Sequence, residues 1–281
     1  LPSKKERESK NFYEMPLSEN LILGTAIGSS ILGEKVLINF QRTEFSLLAL
    51  EQIINNAAKI PFMSNGKHKI SIVVRMVIGR GWGQGPMHSQ SFESLFASIP
   101  GLSIYTPTFP DETSALLKSA ILLNKPVIFL ENRWNFFLKT RIRKINKYSN
   151  FLKISSGNKL TLLTNSYNTV IFLTANKILK KYGIQVDHYH LSIIKPLDIN
   201  FLRTSINKTK KFIVIDSNHI PFGFNAEVIA NITTEFNIKN IDIIRMGNYD
   251  YPLASSRGLI DDIYANPISY LKSVDKLLKL K

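Results

Sequence analysis

Met15-Pro16-Leu17-Ser18-Glu19-Asn20 leads into Ile22-Leu23-Gly24-Thr25-Ala26-Ile27-Gly28-Ser29-Ser30-Ile31-Leu32-Gly33. The proline fixes the backbone ahead of Ser18, a favourable helix N-cap. Glu19 then falls in the first helical turn, where the macrodipole favours a negative charge. The run behind it is apolar, with small residues at Gly24, Ala26, Gly28 and Ser29. Such a helix can pack closely against a neighbour and keep water from its own start. Taken alone, these residues leave two readings of Glu19. It is a helix-start acid and nothing more, or a carboxylate held in a dry interface to exchange a proton with a ligand.

Outward from this helix, the chain alternates apolar strands with helices. Glu34–Phe40 reads as a buried strand, followed by the polar loop Gln41-Arg42-Thr43-Glu44 and a helix from about Ser46 to Ile60. Ile70–Met76 is a β-branched strand. Gly79-Arg80-Gly81-Trp82-Gly83-Gln84-Gly85 is too glycine-rich for helix or strand, and lets backbone approach a ligand closely. It runs into Met87-His88-Ser89-Gln90 and a helix at about Phe92–Ser98. Gly101–Pro107 and Pro126–Glu131 read as strands around a helix opened by Asp111 and Glu112. After a basic connector, Arg141–Asn150, the alternation resumes. Strands are expected at Leu160–Thr164, Val170–Leu173, Val186–Leu191 and Lys211–Asp216. Helices are expected at Ala175–Tyr182, after Pro196-Leu197-Asp198 and after Phe222-Gly223. The pattern predicts an α/β protein of two doubly wound domains with mostly parallel sheets. Residues 1–150 form the first domain, with 1–10 as a charged tail, and 151–281 the second, smaller one.

Composition bounds the function. With 281 residues and 44% apolar content, the chain can bury two ordinary cores. No apolar run reaches membrane-spanning length. The absence of cysteine excludes disulfides, thiolate metal sites and a cysteine nucleophile, and fits a reducing compartment. The formal charge of +15 has three readings: nucleic-acid binding, a solvated basic surface, or an acidic partner subunit. The basic residues are spread along the chain with no aromatic-interleaved motif. The chain opens on Leu1, as a processed product or a fragment does.

Pro16-Leu17-Ser18-Glu19 and the small-residue helix behind it resemble one family, and the likeness continues from about Phe12 to about Leu280. The family is the beta subunit of the decarboxylating component of 2-oxo-acid dehydrogenase complexes, a thiamine-diphosphate-dependent, transketolase-like group. The resemblance implies a pyrimidine-binding domain followed by a transketolase C-terminal-like domain. It implies that Glu19 hydrogen-bonds a ring nitrogen of the cofactor's aminopyrimidine and relays a proton. Phe45 would lie against that ring. Leu17, Gln41 and Leu48 complete the cofactor's surroundings, and His88, ahead of Ser89-Gln90, faces the substrate. The diphosphate and its Mg²⁺ would be held elsewhere. The family's Gly-Asp-Gly motif sits on an alpha subunit and is absent from this sequence. The partners implied are that alpha subunit, in an alpha2beta2 assembly, and a lipoyl-bearing acyltransferase. The expected compartment is the cytoplasm or, in a eukaryote, the mitochondrial or plastid matrix.

Departures from the family pattern are visible. Arg42 and Glu44 are polar where the family loop reads Phe-Met-Thr-Phe-Asp/Asn-Phe, which leaves the pocket's shape and substrate open. A transketolase-like or carboligase biosynthetic enzyme is therefore the alternative, and a basic nucleic-acid-binding or scaffold protein on the same fold the non-enzymatic one. Ser192 stands where an Arg is usual, and Phe222 and Asn225 where glycines are. Leu123-Asn124-Lys125-Pro126 stands where family members have a K⁺-binding Asp-x-Asn-Pro turn, and the Lys125 ammonium either takes the ion's place or points into solvent with the site dissolved.

Overall fold

The structure is a computed structural model that describes residues 8–9, 11–79, 83–139, 149–256, 258–260 and 264–279. Most of the expected tail, the Arg80-Gly81-Trp82 portion of the glycine-rich loop and most of the Arg141–Asn150 connector lie outside the described residues. Among the described residues, no helix is long and apolar enough to cross a membrane.

The first sheet contains β1 (Val36–Phe40), β2 (Ile72–Ile78), β3 (Ser103–Tyr105) and β4 (Val127–Asn132). Its strand order is β1-β2-β4-β3, all parallel. Every residue of β4 is buried, as expected of a strand covered on both faces. α1 (Glu19–Ile31), α2 (Ile60–Met63), α3 (Glu93–Ala97) and α4 (Pro110–Leu122) belong to this half. α1 buries Leu23, Ala26, Ile27 and Ser30, a stripe at helical spacing. At Gly28 its small-residue surface is open: a side chain added there would meet nothing within 4 Å.

The second sheet contains β5 (Phe151–Ser155), β6 (Leu160–Asn165), β7 (Val186–Leu191), β9 (Lys211–His219) and β10 (Asp242–Asn248). The order is β10-β9-β6-β7-β5, parallel except for β5, which runs antiparallel to β7. α5 (Asn168–Lys181), α6 (Arg203–Thr209), α7 (Phe224–Glu235) and α8 (Pro267–Leu278) flank it.

The sheets share one strand segment. Immediately after β7, the chain bends at Ser192 and β8 (Ile193–Lys195) joins the first sheet antiparallel to β3. The Lys195 ammonium then holds the carbonyls of Ala97 (2.7 Å) and Ile99 (2.6 Å) at the end of α3. The second half of the chain thus completes the edge of the first half's sheet, and the two cannot separate without breaking a strand pair.

Two expectations need correction. Val170–Leu173 is not a strand but part of α5. Its Thr-Val-Ile run has strand propensity, but Thr169, Phe172, Ala175 and Leu179 are buried at helical spacing and packing overrides propensity. The helix expected over Ser46–Ile60 is broken into a 3₁₀ segment, Thr43–Ala49, and a π segment, Gln52–Ala57. Of the two readings of Lys125, its exposure favours the one in which the side chain points into solvent.

Two departures in the second half find structural accommodation. Phe222 adopts φ +58°, the left-handed region that a glycine takes without strain, with its ring 95% exposed. Asn225 is fully buried and donates to the Met246 carbonyl at 3.3 Å.

Buried acids stand where the halves meet. Glu93 of α3 and Asp216 of β9 are joined through the Asn218 amide, which donates to Glu93 at 3.0 Å and to Asp216 at 3.3 Å. Burial, then the nearby Glu93 charge, pushes the Asp216 pKa up from 3.8 to about 7. Burial likewise raises Glu93. The folded state therefore holds a proton on Asp216 that the unfolded state has lost, and stability falls as pH climbs from about 4 through about 7. Asp216→Asn, which needs no proton, is expected to flatten this decline by up to about 4 kcal/mol. Urea unfolding of both forms at pH 5, 6, 7 and 8 checks it; parallel curves would show that Asp216 is ionised throughout.

Candidate functional site

The site is built at the start of α1 and the C-terminal ends of β1 and β2, the edge where open parallel sheets take ligands. Glu19 is the first residue of α1 and half-buried. Ser18 occupies the N-cap position, but its hydroxyl makes no capping bond. Its carbonyl accepts the first helical bond from Ile22 N–H (2.9 Å), and its N–H donates to the Pro16 carbonyl (2.8 Å). The expected side-chain cap is thus absent, and the carboxylate beside it stands free of that bond. The first turn is held down by the π segment, where the Gln52 amide donates to Asn20 at 3.3 Å. Gln52 also covers Gly24, with side-chain atoms 3.7 Å from where a Cβ would stand. Wide π turns are frequent at functional sites.

Phe45 and His88 come together from loops 43 residues apart in sequence, with ring centroids 5.9 Å apart and planes at 58°. Both are half-buried. The His88 Nδ1 is buried and has no hydrogen-bond partner. Leu17 is 96% exposed, Leu48 64%, and Gln41 is exposed. Leu17, Gln41 and Leu48 thus face solvent, and Glu19 is not enclosed in a dry interface within this chain.

The two polar substitutions in the loop after β1 are structural ties that sequence reasoning missed. The Arg42 guanidinium donates from Nη1 to the His88 carbonyl at 2.7 Å. Glu44 accepts the Gln90 N–H at 2.7 Å. Together they staple the Phe45 loop to the His88 segment. Their side-chain types were visible in the sequence, but not the residues they reach, which lie across two strands.

A second polar cluster, also unseen in sequence, joins the halves of the chain. Glu112, in the first turn of α4, accepts the N–H groups of Thr108 (2.8 Å) and Phe109 (3.1 Å). It also accepts from His190 Nε2 (3.1 Å) and from the Ser192 hydroxyl. Burial alone would raise its pKa, but His190, Ser192 and the Thr108 N–H bring it below the usual carboxylate value. Ser192, where an arginine was expected, is thus one of the donors to Glu112.

Two α/β domains in this order, each on a mostly parallel sheet, are of transketolase type. Residues 2–137 match the transketolase pyrimidine-binding domain and residues 150–265 the transketolase C-terminal domain. The fold is that of a solved split-gene transketolase, an inactive beta4 tetramer, with a TM-score of 0.81, 20% identity, and coverage of 99% of this chain and 90% of that one. The beta subunit of the pyruvate dehydrogenase E1 component from Saccharomyces cerevisiae, mitochondrial, is 30% identical over 97% of this chain and 77% of its own length. That of Gracilaria tenuistipitata var. liui is 34% identical over 85% of this chain and 75% of its own length. The mitochondrial subunit of Bos taurus is 29% identical over 98% and 79%. The chain belongs to the family of pyruvate dehydrogenase E1 component beta subunits, a thiamine-diphosphate-dependent, transketolase-like family.

Proposed function

We propose that this chain is the beta subunit of a thiamine-diphosphate-dependent 2-oxo-acid dehydrogenase, supplying the pyrimidine-side half of an active site for 2-oxo-acid decarboxylation and acyl transfer. An alpha subunit, in an alpha2beta2 assembly, supplies the diphosphate and Mg²⁺ half. The observation that carries this reading is the outward-facing half-site: Glu19 at a helix start, the Phe45–His88 pair 5.9 Å apart, and a leucine rim left open.

The residues fit the group. A flat aminopyrimidine needs an apolar wall, an aromatic face and a carboxylate at its edge. Leu17 and Leu48 supply the first, Phe45 the second and Glu19 the third, with Gln41 beside them. Bound there, thiamine diphosphate would supply the carbon acid that adds to the 2-oxo group and accepts the electrons left when CO₂ departs. The protein's share is proton handling and positioning. Glu19 holds a proton in a hydrogen bond to the ring-nitrogen edge, where docking of the alpha subunit would exclude water and strengthen the bond. His88, with its free Nδ1, orients the substrate. A lipoyl-bearing acyltransferase is the proposed acceptor, and the cytoplasm or an organelle matrix the compartment.

The polar Arg42 and Glu44 favour a second reading, a carboligase or transketolase-like enzyme acting on a more hydroxylated substrate. Copurification with a lipoyl-bearing protein selects the first; turnover of ketose phosphates without it selects the second. A calorimetric titration of thiamine diphosphate with Mg²⁺ tests the half-site directly. The chain alone is expected to bind weakly and the complex with its alpha subunit tightly. Tight, Mg²⁺-dependent binding by the chain alone would overturn the proposal.

A further inference from the structure

We propose that Lys195 is a positioning residue for His88: from the second half of the chain it fixes α3, and α3 fixes the segment that carries the imidazole. The inference rests on the role given to His88 above and names what sets its place. Only Ser89-Gln90-Ser91-Phe92 separates His88 from the five residues of α3. A helix so short has no stability of its own in water, so whatever grips its ends decides where it sits. Both grips come from the second half of the chain. At the start, Glu93 is fully buried, and the Asn218 amide of β9 donates to its carboxylate at 3.0 Å. At the other end, the Lys195 ammonium donates to the carbonyls of Ala97 at 2.7 Å and Ile99 at 2.6 Å. Carbonyls at a helix end lack partners within the helix, and a cation suits them.

Lys195 is placed to act as a fixed point. It closes β8, which pairs with β3 so that Lys195 lies opposite Ile104. Its ammonium is therefore borne by a sheet and not by a loop. On the other side of His88 the ties come from the first half. Arg42 holds the His88 carbonyl and Glu44 the Gln90 N–H, both at 2.7 Å. These bonds join the backbone of the segment to the Phe45 loop. The His88 ring has a buried Nδ1 with no hydrogen-bond partner, so its orientation depends on its backbone and on packing against Phe45. Without the Lys195 grip, α3 turns about the Glu93 tie at its start. The turn passes through Ser91 and Phe92 into the His88 segment, and the ring follows its backbone.

The test reads the imidazole directly and then its use. The full chain, labelled with ¹³C and ¹⁵N at histidine, is compared by NMR as wild type, Lys195→Met, Lys195→Arg and Lys153→Met. The His88 signal is assigned by its loss in His88→Gln. Lys153 is the control, a lysine of the second half whose ion pair with Asp187 at 2.9 Å does not touch α3. Lys195→Met is expected to move the His88 signal, Lys195→Arg to return it in part, and Lys153→Met to leave it in place. In the complex with the alpha subunit, Lys195→Met is expected to lower kcat/KM for pyruvate by about 10- to 10²-fold, the scale of a small misplacement, with KM raised and thiamine diphosphate affinity unchanged. A tie that only stabilised the fold would reduce the active fraction, so that kcat fell at constant KM. That kinetic result, a wild-type His88 signal in folded Lys195→Met, or an equal displacement in Lys153→Met would overturn the proposal. If Lys195→Met fails to fold, Lys195→Gln, shorter and uncharged, is judged by the same criteria. A displaced His88 signal beside a wild-type complex that turns over no 2-oxo acid would sustain the positioning and refute the functional reading.

Discussion

Glu112→Ala is expected to destabilise the folded chain by about 3–5 kcal/mol, the cost of breaking a buried ionic cluster from one side. One carboxylate here satisfies two backbone N–H groups at the start of α4, His190 and Ser192. Alanine would leave all of these donors buried and empty. It would also cut the end off a longer chain of bonds. The Tyr270 hydroxyl donates to the Asn176 oxygen at 2.7 Å, and the Asn176 amide meets His188 Nδ1 at 3.2 Å. His188 Nε2 meets Thr164 at 2.7 Å, Thr164 meets Thr169 at 2.9 Å, and Thr169 meets His190 Nδ1 at 2.8 Å. We assign the donors in one direction from Tyr270 to Thr164, which gives His188 its proton on Nε2. That assignment agrees with His188 being neutral, since burial lowers its pKa to about 3. At the other end of these bonds Glu112 is the acceptor. Glu112→Gln, which presents an amide to His190, should lose less than alanine. Urea unfolding of the full chain measures both. A loss under about 1 kcal/mol for alanine would mean that water replaces the carboxylate and the chain of bonds is ornamental.

Glu19→Gln is expected to slow turnover by the reconstituted enzyme about 10²-fold or more, the usual scale for a general acid–base group. Exchange of the cofactor's acidic carbon proton with D₂O should slow similarly. Stability should hardly change. Glu19 is half-buried, Ser18 makes no capping bond beside it, and the anchoring bond of the first turn runs through Asn20 and Gln52. Glutamine keeps the size and one hydrogen bond but cannot carry the negative charge. Wild-type exchange in the variant would reduce Glu19 to a helix-start acid. A large loss of stability would instead mean that the carboxylate holds the helix in place. Glu112 is also an acid in the first turn of a helix, but it is buried among four donors while Glu19 is half-buried.

How much of this was legible beforehand depended on range. The parallel strands announced themselves because a strand buried on both faces must be mostly apolar, as β2 is apart from Arg75 and β4 apart from Glu131 and Asn132 at its end. Pro16-Leu17-Ser18-Glu19, Phe45 and His88 were legible as a motif, since each occupies a short local pattern that chemistry constrains. Propensity misled where packing outweighed it, at Val170–Leu173. The functions of Arg42, Glu44 and Ser192 were illegible: each appeared as a departure from a pattern, while the atom it bonds lies tens of residues away. Lys125 shows the converse, a residue whose local setting left two readings and whose exposure in the fold favours the solvent-facing one. By itself, then, the order of residues determined the alternating architecture, the helix-borne carboxylate and the aromatic and imidazole candidates, because hydrophobic period and backbone preference act over a few residues. Only the tertiary structure decided that β8 crosses between sheets, that Glu112 and Asp216 are buried where the halves meet, and that Arg42 reaches His88. The energy of a polar or charged side chain is set by desolvation and by the groups brought within hydrogen-bond distance, and those exist only once distant segments have packed.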